Sequence, residues 1–187
     1  MNLFNAIKFI ETKLEDYFTD EADHVIIANI ADEDHVKEKI IITMVNLEEE
    51  KTMKNQKYVK MNALQKPVYQ NPPVNVNLFL LFTATHDNYE TALKHLSRVV
   101  EFFQGKNVFS NKDGNLPNGS NESFKLILDL IPMSFEGTNH LWGFLGGKQL
   151  PSVIYKMRMV SLEAGKPTNI GGTIFESDIT STKIEGS

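Results

Sequence analysis

Residues 74–82 read Val74-Asn-Val-Asn-Leu-Phe-Leu-Leu-Phe82, and this stretch decides the fold. Val74, Val76 and Leu78 alternate with Asn75 and Asn77, the period-2 pattern of a strand with one buried face. From Leu78 to Phe82 the run turns uniformly apolar, which marks a strand covered on both faces at the centre of a sheet. Working outward, Tyr89, Leu93, Leu96, Val100 and Phe103 give the stripe of a following helix, with Asp87 as N-cap, Glu90 as its capping-box partner and Gly105 as the stop. Upstream, Val25–Ile30 and Ile40–Leu47 are β-branched strands. They follow an N-terminal helix capped by Asn2, with Leu3, Ile7, Ile10, Leu14 and Tyr17 on one stripe. Downstream, Phe124, Leu126, Leu128 and Leu130 alternate up to Pro132. Ser134 or Thr138 opens a short helix carrying Leu141, Trp142 and Leu145, ended by Gly146 and Gly147. Val153, Tyr155, Met157 and Met159 alternate in a last strand. The order is α+β, with one mixed or antiparallel sheet of about five strands and helices packed against it.

Two segments fall outside this pattern. Residues 48–73 mix Glu48, Glu49, Glu50 and several lysines with Tyr58, Met61, Leu64 and Tyr69 before Pro72 and Pro73. They read as a projecting hairpin or partner-binding arm, or else as a solvated loop. Residues 163–187 are rich in Gly, Ser and Thr, with Ile170, Ile174, Phe175 and Ile179 scattered among them. They read as a C-terminal arm that docks on a neighbour, or as a frayed end. The organisation is therefore one domain over 1–162 with an arm at 48–73, then a second arm at 163–187. Lys106–Ser123 reads as a surface excursion.

The 187 residues suit a single domain, which buries roughly 70% of the surface its unfolded chain exposes. With no cysteine, disulfides and thiolate metal sites are impossible. The formal charge of −5 and the presence of only Arg98 and Arg158 as arginines argue against nucleic acid. No apolar run is long enough to span a bilayer, and the N-terminal stretch is amphipathic where a signal peptide would be apolar, so membrane insertion and secretion by that route are not expected. A chain made in the cytoplasm is expected.

The chemical inventory is sparse. His24, His35, His86, His95 and His140 form no HExxH pattern, and the nine-residue spacing of His86 and His95 would put them on opposite faces of a helix. Asp129 is a carboxylate on a strand, available for catalysis or for pairing with Lys125 or Lys156. Gly143, Gly146 and Gly147 lack P-loop spacing, and no GxSxG elbow occurs. No catalytic residue, cofactor or metal is assigned. The alternative, a small hydrolase or ligand-binding domain, needs a concave pocket with polar groups converging near Asp129, His86 or His140. Trp142 is either an interface anchor or a core plug.

Three segments in order carry a resemblance: Asn71 to Ala84, the helix from Asn88 to Phe103 with Asn107-Val-Phe109, and Leu126–Pro132 followed by Leu141-Trp142 and Ser152–Arg158. Ile42–Asn55 matches more loosely. Together they resemble the N-terminal domain family of the cap, or tail terminator, proteins of extracellular contractile injection systems, which are phage-tail-like particles. The likeness runs over residues 3–162. The family's arginine–asparagine pair in the post-strand loop is Lys54-Asn55 here, which lacks a forked guanidinium. The resemblance implies a structural protein that forms a homohexameric ring on the distal end of the inner tube and sheath, ending polymerisation and stabilising the extended sheath. A neck protein of a contractile-tailed phage is the alternative within the same class. A closed ring requires two different patches per subunit. Tyr58, Met61, Leu64 and Tyr69 on one arm and Ile170, Ile174, Phe175 and Ile179 on the other are the candidate partner-interface residues.

Overall fold

The computed structural model describes residues 2–18, 24–35, 37–50, 58–61, 67–70, 74–117, 123–146, 148–162 and 169–170. The chain divides into two units: Met1–Met53 with Val74–Glu163, and Lys54–Pro73 with Ala164–Ser187.

The first unit begins with α1 (Leu3–Tyr17), whose N-cap Asn2 accepts a hydrogen bond from the Asn5 N–H at 2.8 Å. Ala6, Ile7, Phe9, Ile10 and Leu14 form its buried stripe. The Glu15 carboxylate then accepts the backbone N–H groups of His24 and Val25 at 2.9 and 2.7 Å, pinning the next strand to the end of the helix. That strand, β1 (Val25–Ile27), is shorter than the run to Ile30 predicts. Asn29 diverts the chain by accepting the Ala31 N–H, and Ile30 leaves the sheet to plug a core.

β1 pairs in parallel with β2 (Ile40–Glu49), and β2 pairs antiparallel with β5 (Val74–Ala84) through a bulge between Met44 and Asn46. β2 runs two residues beyond the expected end at Leu47, so Glu48 and Glu49 belong to the sheet and not to the arm. After β5 come α2 (Tyr89–Gly105), β6 (Val108–Ser110), β7 (Lys125–Leu130), α3 (Phe135–Phe144) and β8 (Ser152–Leu162). The six-stranded sheet has the order β1-β2-β5-β8-β7-β6, and every pair other than β1–β2 is antiparallel. The α+β class with one mixed sheet holds. The added strand is β6, inside the stretch expected to be a surface excursion; Phe109 is its buried residue.

β5 is central, as its uniform apolarity requires. Leu80 and Phe82 point into the core under α1 and α2, whereas Leu81 points into a second core with Ile30, Ile41, Trp142 and Ile154. The first core is aromatic. Phe82 meets Phe103 at 5.3 Å and Phe103 meets Tyr155 at 4.6 Å between ring centroids, within the range of favourable ring pairs. Trp142 is buried in the second core, so it acts as a plug.

Helix α2 departs from the reading of its sequence. Its buried residues are Ala92, Val99 and Phe103, while Tyr89 and Leu93 are exposed. The helix carries two adjacent apolar stripes, and the one containing the small Ala92 lies against the sheet. Its N-cap is Asn88, which accepts the Thr91 N–H at 3.1 Å. Asp87 instead pairs with Lys37, and Glu90 pairs with Lys94 one turn along, so the expected capping box does not form. Ser134 caps α3 by accepting the Gly137 N–H, and Gly146 after its end takes φ +106°, the left-handed conformation that glycine adopts without steric cost.

In the second unit, β3 (Tyr58–Met61) and β4 (Pro67–Gln70) form an antiparallel hairpin. β9 (Asn169–Ile170) pairs antiparallel with β4, Ile170 opposite Val68 and Asn169 opposite Tyr69.

Candidate assembly surfaces

The interface residues read from sequence divide into two groups. Tyr58 and Met61 lie on β3, Tyr69 on β4 and Ile170 on β9, so the backbone brings all four into one three-stranded sheet. Leu64, Ile174, Phe175 and Ile179 lie outside the described residues. The hairpin and the start of the tail thus meet within one chain.

The first unit adds a surface that sequence reasoning missed. At the end of the sheet where β7 stops and β8 starts, a groove of about 620 Å³ opens between α2 and α3. Tyr89, Leu93 and Leu96 line one wall, and Leu141, Trp142 and Leu150 line another. The N-terminal part of the stripe expected to be core thus forms a groove wall, with Tyr89 67% and Leu93 42% exposed, while Phe103 at its other end is buried as expected. Beyond the groove, Phe135 and Phe144 stand at the two ends of α3, 98% and 88% exposed. A large apolar ring left in water at each end of one helix is a recognisable interface feature. The available signal was composition: a ten-residue helix with a Phe at each end and few charges cannot turn all its apolar residues toward one sheet.

The face of the sheet under α3 is covered only in part. Trp142 and Ile30 cap it around Ile41, Leu81 and Ile154. Further along β8, Lys156 and Arg158 share that face by strand alternation. Lys156 Nζ lies 5.8 Å from the Phe79 ring centroid, and the Arg158 guanidinium donates to Asp129 Oδ2 at 2.8 Å. Asp129 therefore pairs diagonally with Arg158 and not with the lysines expected; the guanidinium of Arg158 reaches across where Lys156 is drawn to a ring.

Of the residues named for the hydrolase alternative, Asp129 and His140 line neither the groove nor a second hollow of about 320 Å³, whereas His86 borders that hollow together with Lys37, Thr85, Asp87, Lys148 and Gln149. His86 and His95 are not on opposite faces of a helix. His86 precedes α2, and its ring stacks on His95 with centroids 4.2 Å apart. Burial lowers the His86 pKa below the ordinary imidazole value, His95 lowers it further, and Glu38 opposes them. Elsewhere, the Lys106 ammonium holds the Asp113 carboxyl below its usual range, and burial pushes the Tyr155 hydroxyl up. Among the described residues, no group of His, Asp and Glu could hold a metal ion. Nor is any described helix long and apolar enough to cross a membrane.

The fold and these surfaces define a mixed-sheet α+β domain with a groove between α2 and α3 lined mainly by apolar side chains. The chain belongs to the Pvc16 N-terminal domain family, whose model matches residues 6–175. No curated protein matches it. Among solved structures, it is similar to the PVC sheath/tube terminator of an extracellular contractile injection system in its extended state. That likeness has a TM-score of 0.63 at 15% identity and covers 100% of this chain and 64% of the other. It is also similar to the tube-terminating cap of the anti-feeding prophage, with a TM-score of 0.66 at 16% identity over 95% of this chain and 61% of the other. The chain thus spans less than two thirds of the length of either structure.

Proposed function

We propose that this chain acts as a cap, or sheath and tube terminator, of a contractile injection system, and that its role is structural and not enzymatic. The observation that carries the reading is the family match over residues 6–175, joined by a fold shared with two terminators of such particles. In this reading the chain assembles into a sixfold ring on the distal end of the inner tube and sheath, ends their growth and becomes part of an extracellular phage-tail-like particle. Two dissimilar surfaces serve a head-to-tail ring: the apolar groove with Phe135 and Phe144 on the first unit, and the β3–β4–β9 sheet with Tyr58, Met61, Tyr69 and Ile170 on the second. Leu64, Ile174, Phe175 and Ile179 extend the second surface, with the tail beyond Ile170 reaching a neighbouring subunit or the sheath.

Mass measurement of the purified chain, alone and with short tube or sheath assemblies, tests the proposal. Rings, or stoichiometric binding to the ends of tube or sheath, are expected. A strict monomer that associates with neither component would overturn it. Replacing residues 51–73 with a short Gly-Ser turn separates the surfaces. The six-stranded sheet should still fold, since β2 and β5 remain, while capping should be lost.

A further inference from the structure

Two concavities of the first unit are joined. The groove between α2 and α3 and the hollow beside it share Tyr89, Gln149, Leu150 and Pro151 as walls. None of the residues lining the groove is charged. The hollow, in contrast, carries Lys37 and Lys148 against one carboxylate, that of Asp87. Lys37 and Asp87 are 3.7 Å apart with side chains 71% and 73% exposed, a pair that contributes little in water. Lys148 is exposed and makes no ion pair among the described residues. The two together form a trough, mainly apolar along its length and basic at one end. The apolar part, about 620 Å³, is large enough to enclose several side chains of a bound segment.

One stretch of the same sequence has the matching pattern. Within residues 171–182 the charged side chains are Glu176 and Asp178, and the large apolar ones are Ile174, Phe175 and Ile179. Successive side chains of an extended chain alternate, so Phe175 and Ile179 would share one side, about 13 Å apart, with Glu176 and Asp178 on the other. Such a segment can seat two apolar side chains in the groove and keep both carboxylates at the basic rim. Chain reach favours a neighbour's segment over the chain's own. β8 starts at the groove with Ser152 and ends at Leu162, about 33 Å further on. Residues 163–174 span at most about 40 Å. Asn169 and Ile170 among them are already paired with β4. A straight return along β8 would use almost the whole of that reach.

We propose that residues 174–179 of one subunit lie in the α2–α3 groove of the next, with Phe175 and Ile179 against Leu93, Leu96, Leu141 and Leu150, and with Glu176 and Asp178 beside Lys148 and Lys37. The proposal rests on the ring reading above and deepens it by giving the tail its seat. Each subunit then offers one tail and one groove, the two unlike patches that a head-to-tail ring joins.

The test uses the full chain and a labelled peptide of residues 171–182. Phe175→Ser with Ile179→Ser, made in the full chain, removes the anchors of the tail and leaves the first unit untouched. The peptide is titrated into this tail variant, whose own segment cannot compete. Phe175→Ser in the peptide, or Leu93→Glu added at its exposed position in the protein, should weaken binding by at least about tenfold, the effect of losing one buried apolar side chain. Lys148→Glu should weaken it by about threefold, and a peptide carrying Glu176→Lys and Asp178→Lys should recover that loss. Full chains carrying either the tail substitutions or Leu93→Glu should be monomers alone and one-to-one dimers when mixed above the Kd of the peptide, because each supplies the half that the other lacks. Should Leu93→Glu fail to fold, the peptide variants decide, since they leave the domain unchanged. Binding that ignores Phe175→Ser, Leu93→Glu or Lys148→Glu overturns the proposal, as does a mixture that stays monomeric. Groove-dependent peptide binding by a chain that forms no ring upholds the seat and removes the terminator reading; rings formed by the Leu93→Glu chain do the reverse.

Discussion

The two faces of the six-stranded sheet are built differently. Under α1 and α2, Phe9, Phe18, Phe82, Phe103, Phe109 and Tyr155 join aliphatic residues from all but one of the strands in a continuous core. Under α3, the enclosed hydrophobic cluster among the described residues is Ile30, Ile41, Leu81, Trp142 and Ile154, and the face passes on into Phe79, Lys156, the Arg158–Asp129 pair and an open groove. One face holds the domain together; the other is left partly unfinished. A domain whose proposed role is to sit against other proteins needs both, because surface reserved for partners cannot also be buried in the monomer.

The largest effect belongs to the aromatic face. Phe103→Ala empties a site enclosed by Phe82, Phe109 and Tyr155 and should cost about 4 kcal/mol in chemical denaturation. On the other face, Trp142→Ala should cost about 3 kcal/mol, because the cavity opens on the groove and can collapse or admit water. If it costs more than Phe103→Ala, the contrast between the faces is wrong. Thr43→Val removes a hydroxyl that donates to the Ala28 carbonyl at 2.7 Å and accepts the buried Ile30 N–H at 3.2 Å. The unsatisfied N–H should cost about 2 kcal/mol, measured in the same way. Smallest for the monomer are Phe135→Ser and Phe144→Ser, which should shift its stability by no more than about 0.5 kcal/mol. Yet they should weaken ring formation or end-binding, read by mass measurement. Assembly unchanged by the pair would remove α3 from the interface.

The central strand and the α+β class were legible because burial on both faces leaves no polar position between Leu78 and Phe82, and few other structures explain such a run. Caps were legible where one candidate stood alone, as at Asn2, and misread where Asp87 and Asn88 adjoin, since the choice depends on which partner each finds: Lys37 for Asp87, the Thr91 N–H for Asn88. The phase of α2 could not be read because two stripes were equally apolar, and Ala92, the residue that selects the buried one, looks weak on any hydrophobicity scale. The histidine stack escaped for another reason. A helical angle was applied to His86, which precedes the helix, and contact with His24 depends on tertiary packing alone. The groove and its Phe residues are products of packing as well: they are what remains after each helix has chosen its buried side.

The pairing of β5 with β8 has a consequence in time. The two longest strands of the sheet lie side by side, Leu78 opposite Met157, yet roughly 80 residues separate them along the chain, a span that slows folding. During synthesis at about 5–20 residues per second, the apolar run of β5 therefore waits roughly 4 to 16 s after leaving the ribosome before its second neighbour exists. Over that interval β2 alone guards it, leaving one edge of the most insoluble segment open to other nascent chains. Yield in the cell should then depend on the pace of translation and on chaperone supply more than on the stability of the finished domain.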